Sequence, residues 1–287
     1  MPHLPFHQQQ LNFVIQLAQN RIAWLDPFFR FLNFFDSMYF FFVLIPLIWL
    51  GFSYRWGIRL FYWLSFNSVM IHLLKYWIGW PRPSTEMPEL GMLHPSTTGF
   101  PSGGAESSLF LGGLLIYYWR TNLAWIIGIT YMLLISFSRL YLGVHYPIDL
   151  LGGWILGFIM LGLLVKTRAP LERWLEQKGL RFCLLLSLAL PLGVMFAVRK
   201  PAISFTMGAC VGIGLGTYFS LKHQWFLPKP KTINEGLGRA SIGIAILFAV
   251  LFVFPGGLHF AKALTAALFM SLGASPIAQW LMKTKIH

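Results

Sequence analysis

From residue 38 onward the chain is a series of long apolar runs separated by short polar breaks. Nine runs read as membrane-crossing helices, near 38–54, 57–77, 104–119, 123–141, 147–165, 181–198, 201–221, 239–255 and 260–282. A helix rising 1.5 Å per residue needs roughly 20 mostly apolar residues to cross a hydrocarbon core about 30 Å thick. The first 37 residues are different. Leu11, Val14, Ile15, Leu17, Ala18, Ile22 and Leu25 recur at roughly helical spacing with Gln16, Asn20 and Arg21 between them, and Asp26-Pro27 breaks the run before an aromatic stretch. That pattern predicts one or two helices lying in the membrane interface, or equally an extra helix packed on the rim of the bundle. A charged amphipathic piece from Arg168 to Arg181 should separate the fifth and sixth spans, and Pro228-Lys229-Pro230-Lys231 marks a loop. Gly208, Gly212 and Gly216 predict a close helix contact. The expected fold is all-α: a polytopic transmembrane helical bundle of about nine spans with an N-terminal interfacial segment over 1–37.

Composition agrees. The chain is 56% hydrophobic and 11% charged, whereas a soluble domain carries about 25% charged residues. A net charge of +13 would suggest nucleic acid for a soluble protein. Here the basic residues sit mostly in short loops between spans and no nucleic-acid motif occurs, so the charge reads as a topology signal. With nine spans, 14 of the 22 Lys and Arg fall on one side and eight on the other, which makes the first side cytoplasmic. Twelve Trp and ten Tyr suit interfacial belts. Cys183 and Cys210 lie in apolar runs and read as free packing thiols, and the N-terminus lacks the pattern of a cleavable signal.

Polar residues at the edge of a span are costly and usually functional. Three stretches carry them: Lys75 to Arg82-Pro83, Pro101-Ser102-Gly103-Gly104, and Ser138-Arg139 to His145 and Asp149. In the nine-span topology all three fall at the outer side. Lys75, Arg82 and Arg139 supply three cations suited to phosphate oxygens. Ser102 and Gly103 sit where the third span begins, and a helix start presents free N–H donors. Asp149 follows His145 by four residues, one helical turn, where a carboxylate would fix the imidazole tautomer and leave the other nitrogen free to attack. His72 shares a face with Lys75 and reads as packing or support. His223 and His259 look interfacial, and Glu86 and Glu89 do not suggest a metal site.

These residues carry a resemblance. Lys75-(six residues)-Arg82-Pro83, then Pro101-Ser102-Gly103, then Ser138-Arg139-(five residues)-His145-(three residues)-Asp149 resembles the three-part signature of the type 2 phosphatidic acid phosphatase (PAP2) superfamily of membrane phosphatases. The resemblance covers roughly 38–165, a catalytic helical bundle, and leaves 166–287 as additional C-terminal transmembrane helices. It implies a phosphohistidine on His145, orientation by Asp149, phosphate binding by Lys75, Arg82, Ser102, Gly103 and Arg139, and no metal or other cofactor.

One position departs. The second part of the family signature ends in a histidine that protonates the leaving group, and this chain has Gly104 there. Four explanations stand open: an altered residue, a proton from another group with His94 or Glu106 nearest in sequence, a diphosphate leaving group that needs no proton, or a protein that binds lipid phosphate without turning it over. The first expectation is a membrane phosphatase or phosphotransferase for a lipid-linked phosphate or diphosphate, in a bacterial inner membrane with its site on the periplasmic side. The alternatives are a phosphatase for soluble phosphate monoesters at the outer face and a non-catalytic lipid-phosphate binder or transporter. The expected partners are the lipid substrate and the bilayer, not nucleic acid.

Overall fold

A computed structural model describes residues 6–253 and 257–283; the last two positions of the eighth expected span and Lys285 lie outside them. Among the described residues there are twelve α-helices and no strand: α1 (His7–Gln19), α2 (Asp26–Leu32), α3 (Met38–Gly51), α4 (Tyr54–Ile78), α5 (Pro83–Glu86), α6 (Gly103–Trp119), α7 (Asn122–Tyr141), α8 (Pro147–Lys178), α9 (Leu180–Ala197), α10 (Pro201–Lys222), α11 (Ile233–Val253) and α12 (His259–Lys283). Each expected span falls on one of α3, α4 and α6 to α12.

Length and apolarity support fewer crossings than nine. Among the described residues six helices, α7 to α12, are long and apolar enough to cross a membrane alone, and a seventh crossing arises if residues 23–36 and α3, bent by 58°, count as one. The shortfall has local causes. α3 has only 14 residues and contains Pro46. α6 has 17 and carries Glu106 in its first turn. α4 has 25, but Arg55, Arg59, Asn67, His72 and Lys75 dilute its apolar surface.

α8 departs most from the sequence reading, because it runs unbroken through Pro170 to Lys178. The polar stretch after residue 166 consists largely of good helix formers (Leu, Glu, Arg, Gln, Lys), so the charged piece continues the span instead of forming a separate element. Two helix starts, those of α6 and α7, follow capping chemistry. Ser102 Oγ accepts from Ala105 N at 3.4 Å and Thr121 Oγ1 from Ala124 N at 3.2 Å, each satisfying a donor the helix start leaves open.

The chain divides into two units. The first takes the described residues up to Phe40 and those from Met70 to Arg168; the second takes Phe41–Val69 and the described residues from Ala169 onward. In the first unit α6, α7 and α8 pack together. A Cβ on Gly153 of α8 would stand 2.5 Å from the Ser102 carbonyl oxygen and 2.9 Å from the Ala105 Cβ. Only a glycine lets α8 approach the start of α6 this closely, and that approach allows Ser102 N to donate to the Asp149 carbonyl at 2.9 Å.

The N-terminal segment is tied onto the same unit. Arg21 donates through Nε to Tyr141 O at 2.8 Å and through Nη2 to Leu90 O at 2.6 Å. Tyr141 Oη donates to Asp26 Oδ1 at 2.6 Å, and its ring stacks on Phe29 at 4.0 Å. Gln10 Oε1 accepts from Ile148 N at 2.8 Å, and Val14 is buried with Leu90 and Tyr146. Trp24, Phe28 and Phe31 face outward, as residues of a membrane interface would. The segment therefore packs on the bundle with one face and keeps an exposed aromatic face on the other.

The second unit is held by Trp49, Leu50, Ile213, Leu247 and Met270 around a small-residue seam. A Cβ on Gly208 would collide with Phe260 O, and one on Gly212 with Leu264 O, so the glycine patch read from the sequence marks the close contact of α10 with α12. Arg59 pairs with Glu172 at 2.7 Å. Cys183 and Cys210 are free thiols.

Candidate active site

The loop Leu142–Tyr146 between α7 and α8 places His145 next to the first turn of α8, where Asp149 is fully buried. His145 Nδ1 lies 3.0 Å from Asp149 Oδ2, which also accepts from Tyr146 N at 2.9 Å. With a carboxylate on Nδ1, that nitrogen carries the proton and Nε2 keeps its lone pair. Nε2 sits 2.9 Å from Arg82 Nη1. Burial, then the Arg82, Lys75 and Arg139 charges, hold the His145 imidazolium pKa well below its ordinary value of 6.5, so the ring is neutral at neutral pH. A neutral imidazole with one oriented lone pair is the protonation state a nucleophile requires.

Arg82 comes from the loop after α4, and its fork is filled on one side by protein. Nε donates to Thr97 O at 2.5 Å, Nη2 to Thr97 Oγ1 at 2.9 Å, and Nη1 to Val144 O at 2.8 Å. Burial pushes its pKa down to about 10, which still leaves it cationic at neutral pH. Lys75, in the last turn of α4, donates to Thr98 O and Gly99 O, both at 2.8 Å. An ammonium has three donors, so one remains for a ligand. Arg139, in the last turn of α7, is 2% exposed and rests on Ser138 Oγ through Nε at 3.1 Å and Nη2 at 2.9 Å. Three buried cations gathered beside one imidazole make a setting that suits an anion.

Ser102 is fully buried and caps α6, so Gly103 and Gly104 supply the first amides of that helix, the donors a helix start leaves for an anion. The structure thus gathers Lys75, Arg82, Ser102, Gly103, Arg139, His145 and Asp149 in one unit. His94 is exposed and lies near Gly91. Glu106 is 2% exposed, and its Oε1 has no hydrogen-bond partner. Glu86 accepts from Tyr146 Oη at 2.6 Å and pairs with His7 Nε2 at 2.8 Å, a tie between the N-terminal segment and the loop that carries His145.

Sequence reasoning missed two residues. Asn33 Oδ1 and Asp36 Oδ2 both accept from Arg139 Nη1 at 2.8 Å, and they come from the short 3-10 turn Asn33–Asp36 just ahead of α3. The Asp36 carboxyl lies directly against Gly104: a Cβ there would stand 2.8 Å from Asp36 Cγ, 2.9 Å from Oδ1 and 3.0 Å from Oδ2. A signal was present, since Asp36 is one of only nine acidic residues in the chain and stands between an aromatic run and a span.

The chain is similar to known proteins. Residues 56–173 match the profile of the PAP2 superfamily. The chain is 29% identical over 182 residues to an undecaprenyl-diphosphatase of Sulfolobus acidocaldarius, covering 59% of this chain and 86% of that protein. It is 26% identical over 276 residues to lipid phosphate phosphatase delta of Arabidopsis thaliana, covering 83% of this chain and 64% of that protein. It is 28% identical over 170 residues to phosphatidylglycerophosphatase B of Bacillus subtilis, covering 55% of this chain and 82% of that protein. The crystal structure of a transmembrane PAP2-type phosphatidylglycerolphosphate phosphatase from Bacillus subtilis shares the fold, with a TM-score of 0.50 and 22% identity over 58% of this chain and 89% of that one.

Proposed function

From the match of residues 56–173 to the PAP2 superfamily we propose that the chain is an integral membrane phosphatase or phosphotransferase acting on a lipid-linked phosphate or diphosphate through a phosphohistidine on His145. The observation that carries this reading is the buried chain Asp149 Oδ2, His145 Nδ1, His145 Nε2, Arg82 Nη1, with separations of 3.0 Å and 2.9 Å. A protein that only binds phosphate has no need of an oriented nucleophile.

In this mechanism the phosphoryl group sits among Lys75, Arg82, Arg139 and the first amides of α6. These groups neutralise the charge that spreads over the equatorial oxygens in the transition state. The His145 Nε2 lone pair attacks phosphorus, the bond to the leaving oxygen breaks, and Asp149 stabilises the charge that appears on the ring. Water, or an acceptor lipid, then attacks the phosphohistidine and returns the lone pair to Nε2.

The named relatives include a diphosphatase and a phosphatase of a phosphomonoester lipid, so both substrate classes fit. The excess of Lys and Arg on one side supports an outward-facing site, which in a bacterial inner membrane is the periplasmic side. Phosphate release from a panel of lipid monophosphates and diphosphates by the purified protein tests the reading. Rapid quench with labelled substrate should trap an acid-labile phosphoenzyme, and a His145→Ala variant that kept its turnover would remove His145 from the mechanism.

A further inference from the structure

Resting on the phosphatase reading, we propose that Asp36 is the acid that protonates the leaving oxygen and that Gly104 is a glycine because the Asp36 carboxyl occupies the space of a side chain there. Expelling an alkoxide requires a proton, and few groups at the site can deliver one. Asp149 is fully buried and committed to His145 and to Tyr146 N. Lys75 is held by two carbonyls. Glu106 is 2% exposed and cut off from solvent that could restore its proton. Asp36 differs from all three: its side chain is 25% exposed, and it is bonded directly to a cation of the phosphate site, Arg139, at 2.8 Å.

Asp36 is also a matched partner of Gly104. Its carboxyl lies within 3.0 Å of where a Cβ on Gly104 would be, so any side chain at 104 would expel it. Arg139 Nη1 serves Asn33 Oδ1 and Asp36 Oδ2 together, and an arriving phosphate oxygen competes for that nitrogen. Once displaced from Arg139, the Asp36 carboxylate faces the phosphate, and a substrate arriving as its monoanion brings the proton that Asp36 takes up as the repulsion between the two is relieved.

The step balances. His145 Nε2 forms the bond to phosphorus, the phosphorus–oxygen bond to the lipid breaks, and the departing oxygen takes the proton from Asp36. The resulting Asp36 carboxylate then removes a proton from the water that attacks phosphohistidine. The phosphorus–nitrogen bond breaks, inorganic phosphate leaves carrying that proton, and the Asp36 carboxylate returns to Arg139.

The test compares a dialkylglycerol phosphate with para-nitrophenyl phosphate, whose leaving group needs no proton. Asp36→Asn should lower kcat by about 10² or more on the alkyl ester and by less than about tenfold on the aryl ester. Phosphoenzyme formation from the aryl ester shows that the variant is folded. Equal losses on both esters would reduce Asp36 to a positioning residue for Arg139 and overturn the proposal, as would unchanged or raised turnover of the alkyl ester. Gly104→His alone should perform worse than Asp36→Gly with Gly104→His, because the imidazole and the carboxyl compete for one space. A single variant at least as active as the double one would also overturn it. Wild-type protein that released phosphate from neither ester nor from any lipid of the panel would sink the phosphatase reading itself, an outcome distinct from a wild-type enzyme indifferent to Asp36→Asn.

Discussion

His145 Nε2 rests 2.9 Å from Arg82 Nη1, so the lone pair of the proposed nucleophile is held by a buried cation. The same guanidinium is anchored to Thr97 and to the Val144 carbonyl. Arg82 therefore helps to keep the ring neutral and oriented. Buried charge elsewhere in the site acts in the same direction.

The pH profile should show this. Attack requires unprotonated Nε2, and burial together with Arg82, Lys75 and Arg139 lowers the His145 pKa well below 6.5. As pH falls through 6.5 the ring stays unprotonated, so kcat/KM persists. An ordinary imidazole would lose about fourfold between pH 7.5 and 6.0. With an aryl phosphate whose own ionisation lies lower, the acid limb of kcat/KM should fall clearly below 6.5. A limb at or above that value would contradict the buried, cation-flanked imidazole.

Much of this was legible in the sequence, and the limits are physical. Lys75, Arg82, Ser102, Arg139, His145 and Asp149 are polar residues set against apolar runs at fixed spacings, so the cost of placing them there singles them out in the sequence, and the fold brings them together in one unit. Asn33 and Asp36 carry no such local pattern. They reach Arg139 across more than a hundred residues of sequence through a 3-10 turn, and only the fold shows that Gly104 and Asp36 share one space. The nine apolar runs located the helices, since hydropathy reports apolar length. The same rule could not foresee that α8 would continue past residue 165, because helix propensity, not apolarity, sets that end.

Arg21 should hold the N-terminal segment to the catalytic unit. Its two hydrogen bonds reach carbonyls on the loop before α6 and at the end of α7, and hydrogen bonds from a charged donor contribute about 1.5–3 kcal/mol each. Arg21→Ala should lower the thermal midpoint of the detergent-solubilised protein and speed proteolysis within residues 20–36. Turnover should fall as well, because Asn33 and Asp36 lie downstream on the same segment. Unaltered proteolysis and activity would mean that the segment is held by its apolar contacts alone.

Gly153→Ala tests the register of α8 on α6. The added methyl would meet the Ser102 carbonyl at 2.5 Å, a backbone atom that cannot move without shifting the helix start. The expected cost is about 1–3 kcal/mol of overpacking, with loss of the Ser102 N to Asp149 O bond and a drop in kcat larger than any rise in KM. Gly162→Ala, where a Cβ would meet nothing within 4 Å, is the control and should leave both unchanged. Equal behaviour of the two variants would show that the close approach does not matter to the site.

The final prediction concerns sidedness. Of the eight basic residues assigned to the outer side, Lys75, Arg82 and Arg139 are buried in the site and cannot act as loop charges, leaving five against the fourteen assigned inside. Arg239, counted inside, is itself buried and paired with Glu235, which trims the inner count by only one. The asymmetry survives both corrections, so the positive-inside rule predicts the site outside and the loop before α11 inside. Ser96 and Thr232 are exposed and suit cysteine substitution in a background lacking Cys183 and Cys210. A membrane-impermeant thiol reagent applied to intact cells should label Ser96→Cys and not Thr232→Cys, with the pattern reversed in inside-out vesicles. Five helices, α6 to α10, lie between the two positions, an odd number that puts them on opposite sides; labelling of both from one side would mean that an even number of them cross, with α6, at 17 residues the shortest of the five, the first to suspect. The break would then have to be sought among α6 to α10, and the outward placement of His145 would fall with it.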